Sequence, residues 1–211
     1  MGYFRQNIGD YLKNHIVTYF FIILLFIIGI VVGALAVKTL PEEQKLELIG
    51  YLKLFFSGLT QNNNLDTNSH LLGSVVLNNV KTVLLVWFLG FTIIGIPFVL
   101  FIIFTRGFII GFTVGFLVNE YVLKGVFFAL VSVLPHNFFS IPALLTLGVS
   151  SISFSLMLVR RKNHINQNLW YNAVQYTLFC TLILIIMVAA AFIEVYISPV
   201  FMKQVAGLLL R

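Results

Sequence analysis

Between residues 16 and 37 the chain carries no charged side chain, and a run of that length can cross a hydrocarbon core as one helix, which takes about 20 residues. Further apolar runs recur at about 83–105, 106–120, 138–159 and 173–196. At membrane depth every backbone N–H and C=O has to find its partner within the protein, so such runs read as transmembrane helices. Composition agrees: 60% of the residues are hydrophobic and 9% charged, against about 25% charged in ordinary soluble domains. With a mean hydropathy of +1.02, the chain cannot cover its own surface in water. The expected fold is all-α, a polytopic integral membrane helical bundle of about five transmembrane helices, forming a single membrane domain over residues 1–211.

The first run follows a polar leader and has no small-x-small cleavage site in place, so it reads as a retained span and not as a signal-peptide core. The single cysteine, Cys180, forms no intramolecular disulfide and reads as a small packing residue inside the last run. The net charge of +6 sits mainly where helices meet the membrane surface. It implies contacts with membrane lipids and not nucleic-acid binding.

The main polar region lies between the first two runs. Its segment 41–69 is expected outside the membrane, opening as an amphipathic helix with Pro41 at its start and Glu42 and Glu43 in the first turn. Leu46, Ile49, Leu52, Phe56 and Leu59 would line one face, and Glu43, Glu47 and Lys53 the other. The stretch 61–69 is dense in turn-forming residues, with Asn68 or Ser69 as the cap of the next helix. Pro97 is expected to kink the second span. Glycines four residues apart (Gly29 and Gly33, then Gly107, Gly111 and Gly115) form smooth faces for close helix packing. Self-association as a dimer is expected through them. Pro135, His136 and Asn137 are expected to break a helix, with protein around the break to satisfy its backbone. After Ser198 and Pro199, residues 200–211 suit a small tail helix.

Orientation rests on the positive charges. With the N-terminus cytoplasmic, Arg5, Lys13, Arg106, Arg160, Arg161 and Lys162 fall inside, and the C-terminus ends extracytoplasmic. No catalytic motif accompanies this layout. None of the four histidines is spaced with another or with a carboxylate as metal ligands are, so no metal or cofactor is expected. Glu194, the one carboxylate inside a late apolar run, reads as reaching the headgroups. No nucleophile, acid or base stands in a catalytic context, and the expected protein is not an enzyme. What remains is polar or special residues where they are costly: Asn78, Asn79, Arg106, Gly107, Gly111, Pro135, His136, Asn137 and Pro142, which are candidates for packing or partner binding.

Several of these residues sit in segments that resemble a known family. Val76-Leu77-Asn78-Asn79-Val80, Phe88-Leu89-Gly90 through Gly95, Thr105 through Gly111, and Pro135-His136-Asn137 through Leu144 are similar to the stage II sporulation protein M family in order and spacing. The wider family tends to show Asn-Gly before the third span and Pro-His-Gly with a following glutamate in the fourth region. Here Arg106 stands for that asparagine, Asn137 for that glycine, and Ser140-Ile141-Pro142 where the glutamate region would be, as in the sporulation branch. The resemblance implies a non-catalytic membrane scaffold at the septal or engulfing membrane during forespore engulfment. Its partners would be stage II sporulation proteins D and P, which degrade peptidoglycan. Docking is expected on the outer face bearing Glu43, Glu47 and Lys53, or in the groove around His136. The alternative is a small-solute or lipid transporter or channel with its site near Pro135, because interrupted helices line many transport sites.

Overall fold

The structure, a computed structural model, describes residues 15–61, 65–160 and 169–197. The tail helix expected over 200–211, and Arg5, Lys13, Arg161 and Lys162, lie outside them. Within the described residues the chain is all helix with no strand. α1 is Ile16–Ala36, closed by a 3₁₀ turn at Val37–Thr39; α2 is Glu42–Gln61; α3 is Leu65–Gly90. A long helical stretch, Gly95–Arg160, is divided at Val122, where φ is 49° and ψ −122°. We call the part before the break α4 and the part after it α5. α6 is Leu169–Phe192, continued by a π-helical turn at Ile193–Ile197. Among the described residues, five helical segments are long and apolar enough to cross a membrane: Ile16–Thr39, Leu72–Gly90, Gly95–Val122, Pro135–Val159 and Leu169–Tyr196. The chain is a multi-pass membrane protein.

Three boundaries differ from the sequence reading. The second and third spans do not meet at Arg106; they meet in a tight turn at residues 91–94, closed by Gly95 N–H donating to the Thr92 carbonyl at 3.1 Å. Pro97 therefore lies in the first turn of α4, where its missing N–H costs nothing, and kinks no span. The turn is largely apolar although its residues are exposed, and it is held to the bundle through one ring and one hydroxyl. Phe91 packs edge-on against Trp87, Phe154 and Tyr176 at centroid distances of 5.1, 5.3 and 5.6 Å, and Ser155 Oγ donates to the Thr92 carbonyl at 2.8 Å. Gly90 is required here, since a Cβ would meet the Tyr176 hydroxyl.

The second difference is the break. α5 runs helically through Pro135 and Pro142, and the non-helical residue is Val122. Pro is accommodated in a membrane helix when neighbours re-satisfy the freed backbone, and α5 is the most enclosed of the spans. At Val122 a β-branched residue holds a positive φ that suits glycine, and the chain folds back so that Phe128 and Ala129 pack on Leu117. Val122→Gly should therefore raise the thermal stability of the detergent-solubilised protein by about 1–2 kcal/mol. A fall in melting temperature would show that the Val122 side chain, though 67% exposed, is worth more than its strain. The third difference is that α3 already begins at Leu65, so Asn68 and Ser69 lie inside a helix and cap none.

The glycine faces meet each other. α1 and α4 run parallel in constant register, with Phe26 beside Gly107, Ile30 beside Gly111 and Ala34 beside Gly115. A Cβ at Gly33 or Gly111 would run into the backbone carbonyl oxygen of Phe108 or Ile30. These faces are spent inside one chain, so any dimer would have to use another surface. The main core gathers Ile22, Val86, Val99, Ile103, Leu147, Ile152, Ile183 and Met187 between α1, α3, α4, α5 and α6. Small serines on α5 let α3 come close, and Ser151 Oγ donates to the Val86 carbonyl at 3.1 Å.

α2 sits apart from the bundle, touching it through Leu52 against the Leu117, Phe128 and Ala129 cluster. Its inner face runs through Lys45, Leu48, Ile49 and Leu52, while Leu46, expected inward, is 66% exposed beside Glu43 and Glu47. Phe56 and Leu59 have side chains outside the described set.

Candidate functional site: a polar cleft within the bundle

Polar side chains from four helices converge on a half-open cleft of about 320 Å³. Ser74, Val75, Asn78 and Asn79 come from α3, where the i,i+4 spacing places each pair on one face. Arg106 comes from α4, His136 from α5, and Glu194 from the π turn after α6. The change from α to π winding at Ile193 takes Glu194 off the register a continued α-helix would give it. Such π turns are frequent at functional sites.

Asn79 is the anchor. It is 2% exposed, its Nδ2 donates to the Met187 carbonyl at 3.2 Å, and its Oδ1 accepts from Arg106 Nη2 at 3.5 Å. His136 is 9% exposed, with Nδ1 at 3.0 Å from Glu194 Oε2 and 3.4 Å from the Ala190 carbonyl oxygen. Both neighbours are acceptors, so Nδ1 carries the hydrogen and Glu194 receives it. Arg106 is different. Among the described residues its guanidinium makes that one long hydrogen bond and no ion pair, although it has five N–H groups to offer. The side-chain amide of Asn78, on the exposed wall, makes no hydrogen bond among the described residues.

Chemically, the cleft offers a fixed cation, two amides and a carboxylate already engaged by an imidazole. Among the described residues no group of three or more His, Cys, Asp or Glu side chains converges as a metal ion would require.

A family model described as stage II sporulation protein M matches residues 22–199 of the chain. The chain belongs to that family. No curated protein and no solved structure matches it significantly.

In this stage II sporulation protein M family chain, four of the residues singled out from sequence come together: Asn78, Asn79, Arg106 and His136. Arg106 does so because it lies inside a span, not in the cytoplasmic junction where the charge count placed it. That removes one of the arginines on which the orientation rested. Gly107 and Gly111 turn instead to α1. Asn137 Nδ2 donates to the Val133 carbonyl one turn back at 2.8 Å, while Pro142 is exposed and Pro135 is half-buried within α5, outside the cleft lining. Glu43, Glu47 and Lys53 are exposed on α2, away from the cleft. Sequence reading did not name Ser74 and did not pair Glu194 with His136. The sequence carries Glu194 as the lone carboxylate of the last apolar run but does not name the helix it meets.

Proposed function

We propose that the protein is a sporulation membrane scaffold that recruits and coordinates peptidoglycan hydrolases during forespore engulfment. The observation that carries this reading is the family match, which extends over residues 22–199. In this reading the partners are stage II sporulation proteins D and P, and they perform the hydrolysis. The N-terminus faces the cytoplasm, so α2 and the reversal at Val122 lie on the extracytoplasmic side of the septal membrane, where the wall is. α2 supports docking there because it presents Glu43 and Glu47 beside exposed Leu46 and Tyr51, an acidic and apolar surface.

The test is crosslinked affinity purification of the tagged full chain from sporulating cells, with mass spectrometry of what co-purifies. Hydrolases should be enriched with the native chain and reduced about tenfold or more when Glu43, Glu47 and Lys53 are replaced together by alanine, since loss of an interface hot spot costs at least that much. Retention of the hydrolases by the triple variant would remove α2 as the docking surface. Their absence from an abundant, intact native sample would sink the scaffold reading.

A further inference from the structure

We propose that the cleft is a binding site for a phosphate oxyanion, held by the Arg106 guanidinium with the Asn78 amide beside it. This stands on the cleft's geometry and is independent of the scaffold reading. Arg106 lies eleven residues into the span Gly95–Val122, about 16 Å along its axis, well within the hydrocarbon depth. Arginine at that depth is costly, and in known membrane proteins it is paired or faces a wet cavity that serves a ligand. Here it faces the cavity and makes no ion pair among the described residues. Asn79 is neutral and takes one N–H at 3.5 Å, the limit of a hydrogen bond. The cleft's carboxylate, Glu194, is turned to His136 at 3.0 Å and makes no ion pair with Arg106.

The remaining donors match one ligand chemistry. Arginine's fork of N–H groups suits the paired oxygens of a phosphate, and the Asn78 NH₂ adds a further donor. Asn78 is exposed on the cleft wall with its side chain unbonded among the described residues, so it is available to an incoming group. Lys81 follows three residues on, exposed along the same face of α3, and among the described residues it makes no ion pair. A volume of about 320 Å³ is at the lower end of small-ligand pockets and admits a phosphate with its first substituents. A bilayer supplies this group at high density as the phosphodiester of its lipids; the aqueous phase supplies it as free phosphate.

Native mass spectrometry of the full chain released from neutral detergent decides between these. Titrated with phosphatidylglycerol and with phosphate-free diacylglycerol, the native protein should retain the phospholipid about tenfold more strongly, as expected for loss of one charge-assisted hydrogen-bonded contact. Arg106→Gln should bring that ratio close to one, Arg106→Lys should restore part of it, and Asn78→Ala should lower it several-fold. If phosphatidylglycerol shows no preference but inorganic phosphate raises the melting temperature of the native chain and not of Arg106→Gln, the site holds and its ligand is aqueous phosphate. If Arg106→Gln does not fold, the double variant Asn78→Ala with Lys81→Gln, both on the exposed face, carries the same comparison. Native-like retention by the variants, or no response to either phosphate source, overturns the proposal.

Discussion

Gly111→Leu is expected to leave little folded protein. The Cβ alone would strike the Ile30 carbonyl oxygen, and the neighbouring contacts to Ile30 are also backbone, which cannot rotate away as a side chain tip can. α1 would have to move off α4 along the register from Phe26 to Ala34. Overpacking a well-fitted interior costs typically about 1–3 kcal/mol, and a clash with backbone on both sides belongs at or beyond the top of that range. The measurement is a thermal melt of the purified protein in detergent, with a loss of about 10 °C or complete loss of the folded fraction as the expected result. Gly50→Leu is the control, because nothing lies within 4 Å of a Cβ there and leucine is the better helix former. Equal damage from the two substitutions would show that the α1–α4 contact is not what the glycines serve.

A second large effect is expected at Asn79. Asn79→Leu keeps the branched shape and the heavy-atom count but removes both amide contacts, so Arg106 is left in the bundle with no hydrogen bond among the described residues. Stranding a polar group in this way costs about 1–3 kcal/mol, because the desolvation is no longer offset. Replacing both members, Asn79→Leu with Arg106→Met, should recover much of that loss, since apolar partners of similar shape leave nothing unsatisfied. A double-mutant cycle read by thermal melts in neutral detergent gives the coupling directly. Additive losses, with the double variant the least stable of the set, would show that the two side chains do not act as a pair.

How much of this was legible in the sequence depended on whether a structural event changed the chemistry of the chain. The apolar runs announced five helices because burial in lipid requires them. The glycine spacing announced two smooth faces, but spacing on one helix does not name the helix it meets, so a partner chain and α4 looked alike. The α3–α4 turn was hidden because Phe91, Ile93 and Ile94 keep it as apolar as the spans it joins; its stabilisation comes from rings on α3, α5 and α6. With that turn missed, Arg106 and Pro97 were both assigned wrong surroundings. The reversal at Val122 was hidden for the opposite reason, since valine is among the residues least suited to a positive φ. Asn78, Asn79, Arg106 and His136 stood out as polar residues at costly positions, whereas Glu194 required knowing that α6 ends against α5.

The parallel pairing of α1 with α4 also sets a timetable for synthesis. Partners such as Ile30 and Gly111 are 81 residues apart in the chain. At translation rates of about 5–20 residues per second, α1 enters the bilayer roughly 4–16 s before the helix that will cover Gly29 and Gly33 has been made. For that interval its small-residue groove faces lipid or the insertion machinery, and α2 and α3 must be threaded before it can close. Ribosome pausing or truncation ahead of α4 would therefore release an early intermediate with an open, adhesive first helix, the form of this protein most exposed to mispairing and to quality-control proteolysis.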